Sequence, residues 1–328
     1  MRPPSWTQGT MRPRLVMLLS FAVAAIAIAF TGARFTIIPS PSPPAHSSLP
    51  SQAASYLGVF EKGTTPSAQQ VAEFGRLAGK QPNLVGYYSG WSEPFQLSFA
   101  DRVFSQGETP YVQIDPTFAS VSGISTGVYD QYLTTYADSV RDFKHSVVIG
   151  FGHEMNDRKY LWGYGHVPAR TFVAAWRHIV TLFRGQGAEN VTWLWTVQAD
   201  GPQTGPIGEW WPGKSYVTWV GIDGYYKSPA DNFSSLFGQT IKDVQSLTDR
   251  PILLSETAVG PESGGFTKIY NLFSGIRANG MLGLVWFDID QHGSPVHQDW
   301  RLENSGQPAV AAFRFGVSKL TLQPANKH

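Results

Sequence analysis

Two glutamates carry most of the chemistry that can be read from this chain. Glu154 lies in the run GFGHEMN and Glu256 in the run PILLSET. Each directly follows a short apolar stretch, 147–151 and 251–255, whose length and composition favour a strand. A strand is a rigid mount, which a reacting carboxylate needs. Two carboxyl groups on separate strands, with room for one sugar between them, suit cleavage of a glycosidic bond. One protonates the leaving oxygen. The other attacks the anomeric carbon, and water then releases the covalent intermediate. That retaining course needs the two groups about 5–5.5 Å apart. Either glutamate alone could equally be half of a buried ion pair.

Further polar and aromatic residues follow the other apolar stretches. They include Glu61, Tyr88, Trp91, Asp115, His153, Gln198, Asp223, Tyr225, Trp286 and Asp288. Singly, each reads as a solvated loop residue. Together they are carboxylates and aromatics, and aromatic faces suit the apolar C–H faces of sugars. Aromatic residues make up 13% of the chain and include 11 Trp, so some can face a ligand while others fill the core.

Several other chemistries are excluded. The chain has no cysteine, which removes disulfides, thiolate metal sites and a cysteine nucleophile. Gly123 to Gly127 has the spacing of a serine-nucleophile turn, but a loop from Pro116 separates it from the preceding strand. His153 and Glu154 do not begin a zinc-protease motif, because position 157 is Asp rather than His. His292 and His297 share a loop without a matching carboxylate pattern, so no metal is expected. No phosphate loop or dinucleotide fingerprint follows the first strand, and no cofactor is expected. The net charge is +1 without a basic stripe, which argues against a nucleic-acid partner.

The elements that must position these residues follow a repeating order. Eight short apolar stretches read as strands: 56–60, 83–88, 111–114, 147–151, 191–196, 217–222, 251–255 and 283–287. Helical spacing lies between them. Thr65 and Pro66 are expected to open a helix that runs to Ala78 and closes at Gly79. Others are expected over 129–143, 168–183, 232–247, 266–278 and 308–315, with weak or short helices after strands two and five. Eight strands alternating with helices predict a (β/α)8 TIM barrel, with its chemistry at the C-terminal strand ends.

Three basic residues precede an apolar run over 15–30, so residues 1–34 are expected to be a signal peptide or membrane anchor. Residues 35–54 read as a Pro/Ser-rich linker, 55–318 as one catalytic domain and 319–328 as a tail. The expected place is outside the cell or on its surface. Membrane contact is expected only through the first segment, and the chain is expected to be a monomer.

GHEMN at strand four, Trp162–Gly163 downstream and SET at strand seven together resemble glycoside hydrolase family 26. That family includes β-mannanases, mixed-linkage β-glucanases and β-1,3-xylanases. The resemblance spans roughly 56–316. It implies that Glu154 is the acid/base and Glu256 the nucleophile. It further implies that His153 positions substrate and acid, that Tyr225 hydrogen-bonds the nucleophile, that Trp286 floors the subsite of the cleaved sugar, and that Trp162 lines the cleft. Asn156, Tyr88, Trp91 and Asp115 complete the expected binding set. An apolar wall such as Trp162 would keep Glu154 protonated at rest.

Two departures bear on substrate. Asp157 and Lys159 stand where the family usually has Gly and Trp, and Asp115–Pro116 stands where it often has His. The resulting expectation is a β-mannanase-like endo-β-glycanase acting on a polysaccharide, with plain mannan a poor substrate. The alternatives are a mixed-linkage β-glucanase, a membrane-tethered hydrolase of the cell's own exopolysaccharide, and a non-catalytic carbohydrate-binding barrel.

Overall fold

The computed structural model describes residues 49–293 and 296–324. The apolar run over 15–30 and most of the expected linker lie outside the described residues. Among those described, no helix is long and apolar enough to cross a membrane.

Eight parallel strands close into a barrel in chain order. They are β1 (Tyr56–Glu61), β2 (Leu84–Gly90), β3 (Thr109–Asp115), β4 (Val147–Phe151), β5 (Val191–Gln198), β6 (Trp219–Tyr226), β7 (Ile252–Val259) and β8 (Gly283–Asp288). The closing seam runs in register from Tyr56 opposite Gly283 to Glu61 opposite Asp288. The helices are α1 (Ala68–Ala78), α2 (Leu97–Ser105), α3 (Val121–Ser125), α4 (Asp130–Phe143), α5 (Ala169–Gly185), α6 (Phe233–Leu247), α7 (Phe266–Ala278) and α8 (Gln307–Ser318). The eight-stranded barrel expected from the sequence is therefore present.

Local differences have local causes. α1 starts later than expected, because Ser67 and Gln70 form a reciprocal capping box and Thr65 takes no part in it. The helix after β2, expected to be weak, is a full nine-residue α2. After β5 there are only two short 3-10 turns, Gly208–Trp210 and Lys214–Tyr216. Ser125 of the apparent serine motif sits in α3, and its hydroxyl donates to the Ser122 carbonyl.

Apolar residues fill two regions. One lies between strands and helices, and the other lies inside the barrel around Tyr56, Phe60, Tyr111 and Trp219. The base is closed by both flanking segments. Tyr56 donates to the Pro50 carbonyl at 2.7 Å, and the Thr321 amide donates to the Ala54 carbonyl at 2.8 Å. Beyond β8, a hairpin of β9 (Asp290–Gly293) and β10 (Val296–Asp299) leads to Trp300 at the mouth. Arg301 pairs with Asp299 at 2.8 Å and anchors this strap.

Candidate active site

A bulge in β7 sets Glu256. Ile222 of β6 pairs with Leu254, but Asp223 pairs with Glu256, so Ser255 is an extra residue. Leu253 packs inside the barrel and Leu254 outside it. Simple alternation would then turn Ser255 inward and Glu256 outward. The extra residue lets both face the interior. Ser255 donates to Asp223 Oδ1 at 2.6 Å, and Glu256 opens into the mouth. Two tyrosines hold its carboxylate. Tyr225 donates to Oε2 at 2.6 Å, and Tyr88 of β2 donates to Oε1. Burial and the adjacent Glu256 charge push both hydroxyls well above the ordinary tyrosine range, so both remain donors.

Glu154 is mounted differently. β4 ends at Phe151, and the chain then makes left-handed turns at Gly152 and at Glu154 itself, with φ of 54° and 51°. A glutamate in that region is strained, and the surroundings must hold it there. The Glu154 amide donates to the Thr196 carbonyl at 3.1 Å, and its own carbonyl accepts from the Asp157 amide at 2.8 Å. Burial pushes its pKa up to about 7; Glu256 adds to that, while His153 and Lys159 pull the other way. Beside it, His153 Nδ1 meets Asp115 Oδ1 at 2.8 Å, and Nε2 meets the Tyr160 hydroxyl at 3.0 Å. Burial alone would lower the histidine. The Asp115, Glu154 and Glu256 charges outweigh it and raise the pKa to about 9, so the ring is cationic at neutral pH.

Asp223 of β6 lies close to both glutamates. An oxygen from each of Glu154, Asp223 and Glu256 lies within 4.8 Å of the others. Burial, then Glu256 and Glu154, push Asp223 well above the usual carboxylate range. Both Glu256 oxygens already accept tyrosine hydroxyls. This donor set therefore suits protons better than a metal ion. The site opens into a cleft of about 1010 Å³.

A profile described as glycosyl hydrolase family 26 matches residues 90–289. The chain belongs to that family. Among curated relatives, Endoglucanase H of Acetivibrio thermocellus is 29% identical over 280 residues, covering 80% of this chain and 30% of the relative. β-1,3-Xylanase TXYA of a Vibrio species is 28% identical over 113 residues, covering 34% of this chain and 23% of the relative. The match thus spans less than a third of either relative. A Bacillus subtilis mannanase structure superposes with a TM-score of 0.63 at 16% identity, covering 84% of this chain and 88% of that one. A family 26 β-mannanase from Bacteroides ovatus gives 0.59 at 16% identity, covering 84% and 91%. At such identities the structural likeness carries the barrel alone.

This family 26 chain brings Glu154, Glu256, His153, Tyr225, Tyr88 and Asp115 to one cleft. Four other expected binding residues do not line it. Trp286 is fully buried, packs edge-on against Phe313 of α8 and donates to the Trp300 carbonyl at 3.1 Å. It belongs to the core because its side chain points outward from the barrel, towards the helices. Trp162 lies behind the wall: it stacks beneath Tyr160 at 4.5 Å and donates to the His153 carbonyl at 2.9 Å. Trp91 packs on Tyr129, Tyr132 and Phe151 beside α4. Asn156 is buried and clamps Gln198 through both backbone groups, at 2.8 and 2.9 Å. The side chains of His292 and His297 lie outside the described residues.

Tyr160, Trp300 and Gln291 line the cleft and were not singled out from the sequence as contacts. Tyr160 had only one signal, an aromatic residue close in sequence to HEMN. Trp300 had none, because the strap that carries it is placed by tertiary contacts. The core assignment of Trp286 has a direct consequence. Trp286→Ala should destabilise the fold by about 3–5 kcal/mol, the usual cost of emptying a large aromatic site. Chemical denaturation measures it; an unmoved midpoint would return Trp286 to the sugar-binding surface.

Proposed function

We propose that this chain is a retaining endo-β-glycanase, with Glu256 as nucleophile and Glu154 as acid/base. The observation that carries the reading is the closeness of the two carboxyl groups, within 4.8 Å oxygen to oxygen. Retaining hydrolases hold the pair about 5–5.5 Å apart, whereas inverting ones leave about 6.5–9.5 Å for a water. The different environments supply the division of labour. Glu256 is held as an acceptor by Tyr88 and Tyr225, ready to bond the anomeric carbon. Glu154 has no hydrogen-bond partner for its carboxyl among the described residues, and burial keeps its proton near neutrality.

In the first step Glu256 bonds the anomeric carbon as the glycosidic bond breaks, and the Glu154 proton passes to the leaving oxygen. In the second, Glu154 takes a proton from water. That water attacks the anomeric carbon and expels Glu256, so the product keeps its configuration. Cationic His153, fixed by Asp115 and Tyr160, holds the backbone before the acid in place.

The open cleft supports attack within a polysaccharide chain. The names of the relatives put β-mannan, β-glucan and β-1,3-xylan first among backbones to try. The test is reducing-end release from a panel of β-glycans, with Glu256→Ala as the blank and product anomers read by NMR. Release of retained product from at least one backbone is expected. No release, or inverted product, would overturn the reading. The apolar run over 15–30 supports export or anchoring of the domain.

The pH profile follows from Glu154. Its protonated form is the active one, and its pKa is raised to about 7. In the free enzyme kcat/KM should therefore hold below that value and fall about tenfold per pH unit above it. A profile flat to pH 9 would remove Glu154 as the acid.

A further inference from the structure

The cleft contains two ammonium groups that form no hydrogen bond to either reacting carboxylate. Lys159 lies in the loop after β4, and Lys227 is the first residue beyond β6; both are exposed and line the cleft. Each is held over a tyrosine of the site: Tyr160, which meets His153, and Tyr225, which donates to Glu256. Lys159 Nζ lies 4.7 Å from the centre of the Tyr160 ring and donates to its hydroxyl at 3.0 Å. Lys227 Nζ lies 5.9 Å from the centre of the Tyr225 ring. Among the described residues, no ion pair joins either ammonium to a carboxylate.

The carboxylates on the same rim are occupied elsewhere. Asp157 accepts the Lys159 amide at 2.8 Å. Asp231 accepts the Lys227 and Ser228 amides at 2.6 and 2.8 Å. Asp200 accepts the Thr204 hydroxyl at 3.3 Å. These acids shape loops, while the two cations remain available to a ligand. A lysine over a ring keeps most of its donors facing outward, and its hydrated charge is a poor surface for stacking a neutral sugar.

Resting on the glycanase reading, we infer that the native substrate is an acidic β-glycan, with carboxylates on sugars near the scissile bond that Lys159 and Lys227 bind. The carboxylate can belong to a backbone uronate or to an acyl substituent, since the lysines recognise the charge itself.

The test uses β-mannan and mixed-linkage β-glucan, each in three forms: neutral, partly oxidised to carboxylate at C6, and partly succinylated. Initial rates of reducing-end release are compared for the wild type and for the K159Q/K227Q double variant. At low salt, one carboxylated form should be cut at least about tenfold more efficiently than its neutral parent, and which form wins identifies the source of the charge. The advantage should shrink in about 0.5 M salt and largely vanish in the double variant, each rate being taken relative to the same protein's rate on the neutral parent. Neutral glycan cut as well as both carboxylated forms would overturn the inference and leave the glycanase reading standing. So would a charge preference unchanged by the double substitution. No release from any sample would overturn the inference, while the glycanase reading stands or falls on the wider panel above.

Discussion

Glu256→Ala is expected to abolish turnover on every substrate, by on the order of 10⁵-fold, the scale of losing an enzyme nucleophile. No covalent intermediate can form without that carboxylate, whatever the leaving group. Glu154→Ala should behave differently. On a natural glycan the loss should be roughly 10²–10⁴-fold, the usual worth of a general acid. On an aryl glycoside whose phenolate leaves without help, the first step should survive, so the slower second step accumulates glycosyl-enzyme. Mass spectrometry of the Glu154→Ala protein after mixing would detect the adduct. Equal losses on both substrate types in both variants would remove the assignment of roles. The Glu154 backbone adds a reason for care in choosing the replacement. With φ at 51° it sits where Asn is better tolerated than Ala. A Glu154→Gln protein is the fold-preserving companion, and its melting temperature should match the wild type closely.

Tyr88→Phe and Tyr225→Phe should each lower kcat by about 10–100-fold with little change in KM. Each removes one hydrogen bond to a charged group, which is worth about 1.5–3 kcal/mol. In the proposed mechanism the two hydroxyls serve only to hold Glu256, each from a different oxygen. With one tyrosine left, the buried carboxylate keeps a donor. With neither, it is held by nothing and turns towards Glu154 or Asp223, so the double variant should fall further than the product of the two single effects. Phenylalanine preserves the rings, including the stack of Tyr88 on Phe60 at 4.7 Å, so stability should move little. A double variant equal to either single would mean that one hydroxyl alone orients the nucleophile.

The two tyrosines also mark how far local sequence reaches. Tyr225 lies in GIDGYY at a strand end, and a family resemblance assigned it to the nucleophile. Tyr88 carried the same partner from 168 residues away, and no local pattern links YYSG to SET. Asp115 was a departure from the family at the end of β3, and its function became legible only once His153 stood 2.8 Å from it. Asp157 and Lys159 stand out in the sequence as departures from the family beside Glu154. In the structure they do not pair side chain to side chain: Asp157 caps the Lys159 amide, and Lys159 reaches over Tyr160.

The sequence by itself determined the eight-stranded barrel, the order of its elements and the two glutamates after strands four and seven. Those features rest on short apolar runs, helix caps and spacing, all of which act over a few residues. Only the tertiary structure decided which side chains face the cleft. A strand alternates with a period of two, so one extra residue, Ser255, reverses the facing of everything beyond it and turns Glu256 inward. The same rule sends Trp286 outward to Phe313, leaving Trp300, on a strap held by the Arg301–Asp299 pair, to line the mouth. Facing depends on pairing register between distant strands, and register is fixed only when the barrel closes.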